Sequence, residues 1–75
     1  MDLVGACRVF VHIGERGSFT LGAEAAGVRQ PVASRRVSAL EEHLGAPLFD
    51  RSARRAQLTA FGRDLLPTAR HLVAL

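Results

Sequence analysis

The 75-residue sequence has no lysine, no tryptophan and no tyrosine, and a single cysteine, Cys7. One thiol cannot pair within the chain, which excludes a disulfide scaffold. An unpaired cysteine suits a reducing compartment, so a cytoplasmic location is expected. Long apolar runs are missing too. Arg8 and His12 interrupt the first apolar stretch, no basic segment precedes it, and nothing approaches the roughly 18 residues of a spanning helix. Neither a membrane association nor a secretory leader is expected. His12, His43 and His71 are scattered, with no cysteine or carboxylate cluster around them, so no metal site is expected. No nucleophile elbow or phosphate loop appears, and the chain is too short to enclose a pocket easily. The expectation is a protein without cofactor and without enzymatic activity. The length also excludes a two-domain enzyme and a doubly wound nucleotide-binding fold.

What is present is arginine. It supplies all ten basic residues against seven acidic ones, for a formal charge of +3. Almost nothing titrates between cysteine and arginine, so the sequence pI of 11.1 overstates the charge. Placement is more informative than the total. Between Val28 and Arg55 stand Arg29, Arg35, Arg36, Arg51, Arg54 and Arg55 against Glu41, Glu42 and Asp50, while the flanks sum to zero. A basic centre between neutral flanks is the footprint of a polyanion-binding surface. Alanine makes up much of the apolar content, and a core this small contributes only about 3–5 kcal/mol. Dimerisation or a longer parent chain is therefore expected.

Punctuation predicts three helices, a short hairpin and a final helix. Asp2 can cap a first helix carrying Ala6, Phe10, Ile13 and Gly17 on one stripe, closed by Gly14 and Gly17. Ser18 can cap a second, whose stripe Phe19, Gly22, Ala23 and Ala26 is small enough for another backbone to come close. Gly27 stops it. A third helix opens on Gln30-Pro31, proline being tolerated in the first turn. Two short helices joined through a glycine turn form a helix-turn-helix pattern.

On the third helix, Ala33, Val37, Leu40 and Leu44 fall within about 60° of one another and form its buried stripe. Arg35 then points away from the core, Pro31, Ser34 and Ser38 flank it, and Arg36 leans back. Glu41 and Glu42 make the far end acidic, so a polyanion should meet the N-terminal half, where the helix dipole acts in the same sense. Gly45 and Ala46-Pro47 end the helix. Leu48, Phe49 and Leu58 around a basic tip read as a β-hairpin, and Thr59 can cap the last helix. There, Phe61, Leu65, Leu66, Ala69, Leu72 and Val73 cover about 140°, more than one small domain needs, and a partner helix could cover the side of Leu66 and Val73. Pro67 should bend this helix without ending it. Phe10, Phe19, Phe49 and Phe61 are expected in the core, with Cys7 as a small buried hydrophobe.

The ordered run Gly17-Ser18-Phe19-Thr20, Ala23-Glu24, Val28, Gln30-Pro31, Ser34-Arg35, Leu40-Glu41, Leu44-Gly45, Pro47-Leu48-Phe49, Arg51, Leu58-Thr59 and Gly62-Arg63 resembles the N-terminal DNA-binding domain of LysR-type transcriptional regulators. The resemblance covers nearly the whole chain without gaps. It implies a mainly α fold, a winged helix-turn-helix of three helices and a β-hairpin wing over residues 1–59. Residues 60–75 begin a linker or dimerisation helix. The effector-binding domain that usually follows, and with it any small-molecule effector, is absent from this chain.

By the same resemblance, Gln30, Pro31, Ser34 and Arg35 of a recognition helix over about 30–44 approach the major groove of double-stranded DNA. Arg54 and Arg55, with Arg51 and Ser52 at their base, belong to a wing over 50–57 that reaches the minor groove. Arg29 and Arg36 fit phosphate contacts better than base reading. Homodimerisation runs through the final helix. Four departures stand out: Arg29 where the family usually has a capping Ser or Thr, Leu21 where a basic or polar residue is frequent, Gly22 where alanine is usual, and Ala26 where leucine is common.

Bland readings compete at each position: a solvated helix arginine for Arg35, a back-bonded serine for Ser34, a solubilising loop for Arg54 and Arg55. At the level of the chain, the alternatives to a sequence-specific regulator are a dimerising module that depletes full-length regulators and a non-specific nucleic-acid binder.

Overall fold

A computed structural model describes all residues, Met1–Leu75. The elements run α1 (Leu3–Arg16), α2 (Phe19–Ala26), α3 (Gln30–Leu44), β1 (Phe49–Asp50), β2 (Gln57–Leu58) and α4 (Ala60–Ala74). Each boundary has a local cause. The side chains of Asp2, Ser18 and Thr59 accept from the amides of Gly5, Leu21 and Gly62, satisfying amides that have no partner in the first turn. Arg29 occupies the same place before α3 and makes no such bond. Gly17, Gly27 and Gly45 close the first three helices at φ values of 64°, 74° and 78°, a region glycine enters without a Cβ penalty. Gly14, expected to help close α1, instead lies inside it, facing Leu58 and Leu66 where there is room for no more than a small residue.

The core is built on α1, which contributes Ala6, Cys7, Val9, Phe10, Val11 and Ile13. Helix α2 meets it backbone to backbone. A Cβ added at Gly22 would lie 2.5 Å from the Ile13 Cα and 2.7 Å from its amide nitrogen. Helix α3 adds Ala33, Val37 and Leu40, and Leu48 and Phe49 complete the packing from the root of the hairpin. Phe10 and Phe49 meet edge to face at 5.7 Å between centroids, a favourable arrangement of their quadrupoles. Leu44, the fourth residue of the expected α3 stripe, is 37% exposed. It sits in the last turn beside Gly45, beyond the reach of the elements that cover Leu40.

The hairpin is antiparallel, with Phe49 opposite Leu58 and Asp50 opposite Gln57. It is tied down at both ends: the Thr59 amide donates to the Leu48 carbonyl at 3.0 Å, and the Ala56 amide donates to the Gly17 carbonyl at 3.3 Å. Helix α4 continues through Pro67, as expected of a bend. Its orientation corrects the sequence reading. Gly62 lies against the Leu48 carbonyl oxygen, which a Cβ would overlap. That contact turns Gly62, Leu66 and Ala69 inward, and all three are buried within this chain. Leu66 and Ala69 are therefore closed to a partner helix, and Val73 is half-buried beside them. The uncovered edge is the opposite one, with Phe61 37% exposed and Leu65 and Leu72 half-buried. Phe61 is accordingly not a core residue of the single chain. No helix is long and apolar enough to cross a membrane.

Candidate nucleic-acid interface

The end of α1, the start of α2, the N-terminal half of α3 and the wing surround one open trough of about 640 Å³. Of the sequence-predicted residues it gathers Gln30, Ser34, Arg51, Arg54 and Arg55. Pro31 and Arg35 stand on the outer crest of α3, both exposed. Arg35 borders a second, smaller groove with Arg36, Asp2 and Met1. Arg29 is exposed just ahead of α3, and Ser52 is exposed in the wing. The residues expected to meet DNA thus lie along one side of α3, with Gln30 and Ser34 toward the wing and Arg35 and Arg36 on the far side.

Within the wing, the Asp50 carboxylate accepts from the Ser52 hydroxyl at 2.6 Å and from its amide at 3.0 Å. These two bonds favour the ionised form and hold the Asp50 carboxyl below its usual range. Ser52 is therefore occupied in shaping the turn that lifts Arg54 and Arg55. Neither Arg54 nor Arg55 has a carboxylate within ion-pair distance, so both guanidinium groups remain open to an anion. Arg51 differs: it pairs with Glu41 at 2.7 Å.

Three residues of this surface escaped the sequence reading. Arg16 lines the trough, its guanidinium 3.0 Å from the His12 Nδ1 and 3.2 Å from the His12 carbonyl. Its signal was its place in the last turn of α1, immediately before the turn that leads into α2. Thr20 donates its hydroxyl proton to the Gln30 Oε1 at 3.0 Å, which directs the amide of the first α3 residue. Glu41, expected to add to an acidic outer end beside Glu42, instead turns in toward the hairpin. No spacing rule reports a contact that closes only when the hairpin folds back on α3. Away from the trough, Cys7 is buried, and loss of solvation pushes its thiol up from the usual value.

The trough is lined by four arginines, Arg16, Arg51, Arg54 and Arg55, against one carboxylate, Asp50, a basic balance that favours an anion. The sequence model for bacterial regulatory helix-turn-helix proteins of the lysR family matches residues 4–63. The chain belongs to the lysR family. It corresponds to the family's helix-turn-helix DNA-binding domain. This lysR-family domain is 66% identical over 73 residues to the HTH-type transcriptional regulator BlaA of Streptomyces cacaoi, a stretch covering 97% of the chain and 22% of BlaA. It is 43% identical over 68 residues to the HTH-type transcriptional regulator TfdT of Cupriavidus pinatubonensis, covering 91% of the chain and 30% of TfdT.

Against the solved BenM DBD in complex with catB site 1 DNA, the lysR-family domain superposes with a TM-score of 0.89 at 34% identity, covering 99% of the chain and 81% of that one. Against the CbnR DBD–DNA complex the TM-score is 0.88 at 34% identity, covering 99% and 84%. The architecture is a winged helix-turn-helix, as expected. The chain spans from about a fifth to about a half of the length of the curated relatives it matches.

Proposed function

We propose that this domain binds double-stranded DNA sequence-specifically as part of a transcriptional regulator, as a homodimer and without enzymatic activity. Residues 1–59 form the DNA-binding unit and residues 60–75 begin the dimerisation helix. The N-terminal half of α3 enters the major groove, with Gln30, Pro31, Ser34 and Arg35 at base edges and Arg29 and Arg36 at phosphates. The wing carries Arg54 and Arg55 to the adjacent minor groove, where a guanidinium fits a narrow, electronegative channel. Bacterial duplex DNA as the ligand implies a cytoplasmic site of action.

The observation that carries this reading is the trough itself. It sets the unpaired Arg54 and Arg55 of the wing together with Gln30 and Ser34 of α3, with Glu42 outside it. The exposed Phe61 on α4, with Leu65 and Leu72 beside it packed on the core and only half-buried, supports pairing of two chains. The same edge favours the second reading, a module that acts only by joining full-length regulators. Gel-shift assays at low salt separate the two, because such a module has no DNA affinity of its own. For the leading reading, Arg35→Ala should weaken binding to a duplex selected from a random pool by about 1–3 kcal/mol while leaving binding to random DNA nearly unchanged. Equal losses on both duplexes would remove Arg35 from base reading.

A further inference from the structure

The wing has two residues in each strand, too few to fix its own direction. Contacts from outside hold it: the Ala56–Gly17 backbone bond at one end, and a cluster around Glu41 at the other. One carboxylate oxygen of Glu41 accepts from the Leu48 amide at 2.7 Å and from the Phe49 amide at 3.3 Å. The other accepts from the Arg51 guanidinium at 2.7 Å. Only 14% of the Glu41 side chain is exposed. Arg51 lies over the Phe19 ring at 5.5 Å from its centroid, and Phe19 rests on Phe49 at 5.2 Å. One chain of contacts therefore joins the last turns of α3, the root of the wing and the start of α2.

We infer that Glu41 and Arg51 are positioning residues, forming a brace that sets the angle between the wing and the recognition helix. Arg51 is engaged in this clasp and does not serve as a DNA contact. The inference rests on the reading that the wing tip meets DNA. Electrostatics alone points the other way for Glu41. Removing a carboxylate from a surface that faces phosphates should tighten binding, whereas removing the brace should loosen it.

The test measures affinity of the full chain for a duplex enriched from a random pool, with folding of each variant checked by circular dichroism. Glu41→Gln removes the charge and one acceptor oxygen. Arg51→Met keeps an unbranched stem, removes the guanidinium over Phe19 and leaves the Glu41 bonds to the two amides, so it remains informative if the first variant folds poorly. Each should weaken binding about tenfold and make the dependence of log affinity on log salt shallower, because Arg54 and Arg55 no longer reach the minor groove and displace its counterions. Placed in an Arg54→Ala/Arg55→Ala background, the same substitutions should change affinity by less than about twofold, since the brace acts only through the wing tip.

Folded variants that bind as tightly as the parent, or more tightly, overturn the brace. Equal losses in both backgrounds also overturn it, and would return Arg51 to the DNA surface. If Arg54→Ala/Arg55→Ala alone binds like the parent, the wing reading fails first and the brace falls with it.

Discussion

A glycine substituted by alanine in a helix usually gains stability, by up to about 1 kcal/mol of backbone propensity. Gly22 should reverse that sign. The added methyl would lie against the Ile13 Cα and amide, which are main-chain atoms that cannot rotate aside. Overpacking of this kind costs about 1–3 kcal/mol, and here it acts at the closest approach of α1 and α2. Gly22→Ala is therefore expected to lower stability by about 1–2 kcal/mol in chemical denaturation, although alanine is the more usual residue there in the family the sequence resembles. The small stripe of α2 was legible from residue identity alone. Which main chain it would meet was not, because that depends on the crossing of two helices. Cys7 shows the easier case, where one apolar-leaning residue on the buried face of α1 needed no partner to be placed.

Helices were legible where caps and glycines wrote their ends, and least legible where a face had to be chosen. In α4 the apolar arc was read at its true width, yet its buried centre was put on the wrong footing because Gly62 has no side chain to count. The helix turned toward the Leu48 carbonyl, taking Leu66 and Ala69 into the core and leaving Phe61 outside. Helix α3 gives the opposite lesson: its outward band was legible from angles alone, while the inward bend of Glu41 depended on partners at Leu48, Phe49 and Arg51, in another element, and was not. At this scale Arg29 offers a separable pair of effects. It stands at the N-cap of α3 without a side-chain bond. Arg29→Ser should add a cap worth about 1 kcal/mol and raise the melting temperature by about 4–8 °C. The same change should weaken DNA binding and reduce the salt slope by about 0.9, as expected for one lost phosphate contact. Calorimetry and salt-titrated gel shifts read the two independently, and a fall in melting temperature would contradict the capping argument.

For the molecule as a whole, the α4 edge around Phe61 and the proposed groove-facing band would work together in the proposed pair of chains. Two recognition helices about one helical turn apart imply an operator that is an interrupted near-palindrome. Phe61→Glu combined with Leu72→Glu should convert the proposed dimer to a monomer in analytical ultracentrifugation. Affinity for a two-half-site duplex should then fall more than about tenfold, with affinity for an isolated half-site preserved. A dimer that survives both charges would move the interface elsewhere. The corner at Gly62 bears on the same geometry. Because the first turn of α4 is seated on the Leu48 carbonyl, the rod that would join two copies leaves each body against the root of its wing. The spacing ruler of such an assembly is then cut into the monomer itself, and a bulkier residue at that corner would be read out as a preference for a different number of base pairs between half-sites.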